Sequence, residues 1–164
     1  MIMKHIMAGL IFGISLSFIS WIVGMILNGI LMKTIYYNKL SNLNFIRSIT
    51  LNKIIGLYNF KWIVRNTFFK FFNQKIKFEK KNTDLTEIRN EMTLSEISHL
   101  IGFIFVALFA VYKSYSTSMV LGLIIMIPNI LMNLYPSLLQ QQNKRRIDKI
   151  MASNQDKNSN HWRH

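Results

Sequence analysis

The 164 residues contain no cysteine, which excludes a disulfide framework, a thiol nucleophile and a cysteine metal site. Acid is scarce: 7 Asp and Glu stand against 20 Lys and Arg. Charge of either sign is missing from residues 6–32, and Lys113 alone interrupts a second uncharged stretch between Glu96 and Lys144. A net charge of +13 would by itself suggest a nucleic-acid binder. With only 16% charged residues, 51% hydrophobic residues and a mean hydropathy of +0.23, a solvated basic domain is the wrong class, and no nucleic-acid partner is expected. The chain also lacks a Gly-x-Ser-x-Gly elbow, a phosphate-binding glycine loop and a His-x-x-x-x-Asp motif, so the common acyl-transfer and nucleotide machinery is absent.

What is present is apolar sequence long enough to cross a bilayer. Residues 6–32 form a run of 27, more than the ~20 that span the hydrocarbon core and too long for a signal-peptide core of ~7–15. It reads as an uncleaved N-terminal anchor. Gly9, Gly13, Ser17, Ser20, Gly24 and Asn28 recur along it at helical spacing and make a stripe of small residues that lets a second helix approach closely. Further runs at 97–112 and 119–139 are joined by the short polar linker 113–118, which predicts an antiparallel helical hairpin. The expected fold is therefore an all-α membrane protein with about three transmembrane helices. Residues 1–151 read as one membrane domain and 152–164 as a polar, disordered tail.

Basic residues assign the sides. Twelve lie between Lys33 and Arg89 and six from Lys144 onward, whereas Lys4 and Lys113 are alone at the other two ends. The positive-inside rule then puts the N-terminus outside and the C-terminus in the cytoplasm. Within the cytoplasmic segment of about 45–95, Leu57, Phe60, Val64, Phe68 and Phe71 share a helical face, opposite Asn59, Asn66, Lys70 and Asn73. Lys61 and Arg65 flank the apolar side and Trp62 belongs to the same helix. Such a basic amphipathic segment suits the membrane interface, and packing against the membrane helices is compatible with it.

Polar groups at membrane depth are costly and face a bundle interior. Two sets stand out. Glu96 and His99 are three apart at the basic end of the second span and share a face. On the third span Asn129, Asn133, Pro136, Gln140 and Asn143 recur at helical spacing. Counting back from the hairpin turn brings His99 level with Asn133, and Glu96 level with Tyr135–Pro136. One Glu-x-x-His pair is too few ligands for a carboxylate-bridged metal site, so no metal is expected. The set fits a His general base oriented by Glu, with Asn and Gln donors for a developing oxyanion. It equally fits a network that only holds helices together, at ~0.6 kcal/mol per hydrogen bond on average, as in a small non-catalytic membrane subunit or lipid-binding protein.

The residues Glu91-Met92-Thr93, Glu96-Ile97-Ser98-His99-Leu100 and Asn133-Leu134-Tyr135-Pro136-Ser137-Leu138-Leu139-Gln140-Gln141-Gln142-Asn143-Lys144-Arg145-Arg146 resemble the glycosyl-4,4'-diaponeurosporenoate acyltransferase family. That family's pattern is Glu-x-x-His, then Asn-x-Tyr-Pro, then Gln-x-x-Asn-(Arg/Lys)-x-Arg; here Lys144 stands where Arg is usual. The resemblance implies an enzyme of the bacterial cell membrane, in carotenoid biosynthesis, that esterifies a sugar hydroxyl of a glycosylated carotenoid acid, a glycolipid acceptor, with a fatty acyl chain. It assigns His99 as base and Glu96 as its orienting partner. Asn133, Tyr135, Gln140 and Asn143 would bind substrate, and Lys144 and Arg146 would meet an anionic donor. No cofactor is implied; the acyl donor, such as an acyl-coenzyme A, is a co-substrate.

Overall fold

A computed structural model describes residues 2–46, 48–67 and 84–161. Every regular element among them is helical. In chain order they are α1 (Ile2–Leu31), α2 (Tyr37–Leu40), α3 (Ile49–Ile54), α4 (Leu57–Asn66), α5 (Leu85–Ser116), α6 (Met119–Asn129), a π-helical turn (Ile130–Leu134) and α7 (Tyr135–His161). Three stretches, His5–Leu31, Leu85–Ser116 and Met119–Gln155, are long and apolar enough to cross a membrane. The second and third helices extend well beyond the apolar runs at 97–112 and 119–139. Residues 85–96 and 140–161, polar as they are, continue the same helices, and α7 reaches into the stretch expected to be a disordered tail.

The residues group into two compact units. The first comprises 1–43 and 94–138. Its α1 has no proline and buries one stripe: Gly9, Gly13, Leu16, Ser17, Ser20, Gly24 and Asn28. This is the small-residue stripe read from the sequence, with Leu16 added. A Cβ at Gly24 would lie 2.3 Å from the Ser98 carbonyl oxygen, and one at Gly13 would lie 2.6 Å from Pro128 Cγ. The glycines are what let α1 touch both α5 and α6 at backbone distance. Leu16, Val106, Ala110 and Ile125 form the apolar core, and the outward side chains of α1, such as Ile11, Ile19, Ile22 and Ile26, are exposed. The hairpin turn is tighter than 113–118. Ser118 caps α6, its Oγ accepting from the Leu121 N–H at 3.1 Å.

Two prolines flank the π turn. Pro128 and Pro136 each lack the N–H that continues an α-helix. Between them the Tyr135 N–H donates to the Ile130 carbonyl, five residues back. The widened turn holds an extra residue, so the buried face beyond it advances by one. Asn129 and Asn133 are buried as expected, but the face then continues through Ser137, Gln141 and Lys144. Pro136, Gln140 and Asn143, placed on that face by regular spacing, are only half-buried. A regular helical period therefore does not carry across Ile130–Leu134.

The second unit comprises 44–93 and 139–164. Ile88, Met92 and Ile147 form its core, with Leu85 and Met151 against it. Arg89 and Asp148 pair at 2.6 Å. Gly56, at φ 74°, makes the left-handed turn from α3 into α4 that a side chain would resist. Leu57 and Val64 of α4 are buried and Phe60 half-buried, while Asn59, Trp62 and Asn66 are exposed. The apolar face of α4 is thus turned into the protein. Phe68, Lys70, Phe71 and Asn73, expected to continue the two faces, lie outside the described residues.

Candidate active site

The polar residues of the first unit converge around His99. On α5, Glu96 and His99 share a face; Glu96 is fully buried and His99 half-buried. From α1, the Trp21 ring meets the imidazole edge-on, with centroids 6.1 Å apart and planes at 87°. The Trp21 Nε1–H donates at 3.4 Å to the Met132 carbonyl. That carbonyl lies four residues before Pro136, which has no N–H to offer it. The proline of the Tyr-Pro pair and the tryptophan that faces His99 are thereby coupled.

Asn133 also lies against His99, its side chain interacting with the imidazole, as the count from the hairpin turn expects. Its two amide hydrogens are both used, one on Ser20 Oγ at 3.0 Å and the other on Asn129 Oδ1 at 3.0 Å. Asn129 in turn donates to the Phe103 carbonyl at 3.0 Å. Asn133 therefore has no donor left for an oxyanion. Its geometry suits positioning the imidazole.

On the far side of Glu96, Asn28 uses both amide hydrogens on α5: one goes to the Leu94 carbonyl at 2.8 Å and one to Ser98 Oγ at 2.9 Å. Tyr37, just before α2's first turn closes, lies against Asn28 and Glu96. Burial pushes its pKa above the usual 10.0, the negative Glu96 adds to the rise, and a hydrogen bond with Asn28 opposes it. Among the buried polar atoms of this unit, His99 Nδ1 and Ser137 Oγ have no hydrogen-bond partner among the described residues. The contrast with Ser17 and Ser20 is plain, since both of those hydroxyls bond back to their own helix at 2.7 Å. An unmade hydrogen bond in a low-dielectric interior costs about 1–3 kcal/mol, and an imidazole nitrogen left open in this way is available to a ligand hydroxyl.

The remaining sequence candidates sort by unit. Tyr135 is half-buried directly after the π turn in the first unit. Gln140, Asn143, Lys144 and Arg146 belong to the second: Lys144 is buried, Gln140 and Asn143 half-buried, Arg146 exposed. No group of three or more His, Asp or Glu that could hold a metal occurs among the described residues. Sequence reasoning missed Trp21, Tyr37, Ser98 and Ser137. It read Ser20 and Asn28 as small residues for close packing, whereas they also supply hydrogen bonds to the site. One signal was available, because a proline at 136 leaves the carbonyl of Met132 in search of a donor.

These helices thus define a polyhelical protein with a histidine–glutamate pair buried among amides and hydroxyls, between helices long and apolar enough for a membrane. A family profile described as glycosyl-4,4'-diaponeurosporenoate acyltransferase matches residues 33–153, and the chain belongs to that family. Comparison with curated proteins and with solved structures finds no match.

Proposed function

We propose that this protein is a membrane-bound enzyme that transfers a fatty acyl chain to a sugar hydroxyl of a glycosylated carotenoid-like lipid. The observation that carries this reading is the open Nδ1 of His99, on an imidazole braced by Trp21 and Asn133 and one helical turn from the buried Glu96. The acceptor hydroxyl attacks the acyl carbonyl carbon while His99 takes its proton. The donor's leaving group departs with the bonding pair and receives that proton. Glu96 orients and charge-balances the imidazolium. Tyr135, Gln140 and Asn143 contact substrate polar groups, and Lys144 and Arg146 the anionic part of the donor. The twelve and six basic residues of 33–89 and 144–163 support an orientation with both segments in the cytoplasm of a bacterial cell and chemistry near that leaflet.

The second reading, a purely structural network, draws on the closed hydrogen bonds among Ser20, Asn129 and Asn133. His99→Gln separates the two. Glutamine keeps hydrogen-bonding capacity but cannot take a proton, so acyl-ester product per inserted protein should fall by about 10²–10⁴ with normal accumulation in the membrane. Glu96→Gln should fall less. Near-normal product from His99→Gln would leave the structural reading standing.

A further inference from the structure

Ser17, Ser20 and Ser137 are fully buried in the first unit. A helical serine in an apolar interior ordinarily returns its hydroxyl to a carbonyl three or four residues back. Ser17 does so to Gly13 and Ser20 to Ser17, each at 2.7 Å. For Ser137 those carbonyls belong to Asn133 and Leu134, in the π turn, and its Oγ bonds neither. Among the described residues it has no hydrogen-bond partner at all.

Contacts between α5 and the third span fix where this hydroxyl stands. A Cβ on Gly122 would lie 2.5 Å from the Ala110 carbonyl oxygen, and one on Gly102 would lie 3.0 Å from Asn133 Oδ1. Between them, Asn129 donates to the Phe103 carbonyl at 3.0 Å. The two helices are antiparallel, so each step forward along one is a step back along the other. One turn beyond Asn133, Ser137 comes level with residues 95–98, the turn of α5 that holds Glu96 and leads into His99. Asn129, Asn133 and Ser137 are fully buried on one face, and Asn133 lies against the imidazole. Asn133 has both amide hydrogens engaged, which leaves the Ser137 hydroxyl as the open donor of this wall, beside the open Nδ1 of His99.

Resting on the acyl-transfer reading, we propose that Ser137 is a further catalytic residue, whose Oγ–H donates to the acyl carbonyl oxygen as that oxygen becomes an oxyanion. The acceptor oxygen bonds to the acyl carbon while His99 takes its proton, and the carbonyl π pair moves onto the oxygen that faces Ser137. When the carbonyl re-forms, the bond to the leaving group breaks with its pair, and His99 returns the proton to that group. Ser137 keeps its own proton and forms no covalent bond. A hydroxyl that makes no hydrogen bond beforehand suits the task, because none has to be broken when charge develops.

The test assays the full chain in nanodiscs, with palmitoyl-coenzyme A as donor and glycosyl-4,4'-diaponeurosporenoate as acceptor, and separates kcat from KM. Ser137→Ala should lower kcat by about 10²–10³-fold and leave KM near the wild-type value. Its thermal midpoint should hold or rise, because alanine removes a buried hydroxyl that has no partner. Ser137→Thr, which keeps a hydroxyl, should lose far less turnover. Ser17→Ala, which removes a buried hydroxyl bonded to its own helix, should leave turnover unchanged. Wild-type kcat in Ser137→Ala, with His99→Gln inactive, overturns this assignment alone. So does a lowered midpoint with equal loss of turnover in Ser137→Ala and Ser17→Ala, which makes Ser137 a packing residue. An acyl group found on Ser137 by peptide mass spectrometry overturns it in favour of a covalent role. Near-normal product from His99→Gln, or none from the wild type, overturns the acyl-transfer reading and this assignment with it.

Discussion

Ser20 on the first helix receives a hydrogen bond from Asn133 at 3.0 Å, across 113 residues of sequence. The contact joins the N-terminal helix to the segment that faces His99. It makes α1 part of the site's support as well as a membrane anchor.

Ser20→Ala should therefore act twice. Asn133 loses one of its two acceptors, at a cost of about 1 kcal/mol, read as a lower thermal midpoint in detergent. The imidazole also loses part of its support, so turnover should fall, though by less than in His99→Gln. An unchanged midpoint together with unchanged turnover would show that Asn133 is held by Asn129 alone.

Glycines of α1 supply an internally controlled comparison. Gly24→Ala puts a methyl 2.3 Å from the Ser98 carbonyl oxygen, and Gly29→Ala meets nothing within 4 Å. The first should destabilise by about 1–3 kcal/mol through helix displacement. The second should be neutral or stabilise by up to about 1 kcal/mol through helix propensity. Equal effects from the two in a thermal or denaturant melt would contradict the close approach of α1 to α5.

Tyr37 gives a pH signature. Its folded-state pKa lies above the unfolded value of 10.0, chiefly through burial and then through Glu96. The stability tied to its protonated hydroxyl is therefore fully present below pH 10.0 and is lost as pH rises through the higher folded value. The difference in absorbance at about 295 nm between wild type and Tyr37→Phe should titrate late, above the free-tyrosine range. Titration at or below that range would contradict the burial of Tyr37 beside Glu96.

Orientation is open to direct measurement. Reporter fusions after Asn82 and after Asn154 should both score cytoplasmic, as the basic residues of their segments require. Opposite signals would overturn the three-crossing topology.

The three apolar helices, the stripe on α1 and the meeting of His99 with Asn133 were legible in the sequence. Each depends on regular 3.6-residue periodicity and on a short hairpin that sets depth. The parts that escaped depend on departures from that regularity. The faces of Gln140 and Asn143 were misread because the π turn advances the phase, and no local propensity in Ile130–Leu134 announces one. The length of α5 upstream of Ile97 was hidden because residues 85–95 are polar and pair with 147–151, far along the chain. Trp21 and Tyr37 are apolar or ambiguous by type, and only tertiary packing brings Trp21 to His99 and Tyr37 to Glu96.

The widened turn at Ile130–Leu134 also makes chain length a variable distinct from chemistry. Deleting one residue there would return the segment to 3.6 residues per turn and leave later side chains such as Ser137 on the face they already occupy, because the widened turn is what absorbs the extra residue. Forcing the same residues into a regular helix would instead carry each later side chain about 100° around the axis and take Ser137 off the buried face. The length of this short segment and its π geometry are thus a matched pair, and changing either one alone re-aims the helix that follows.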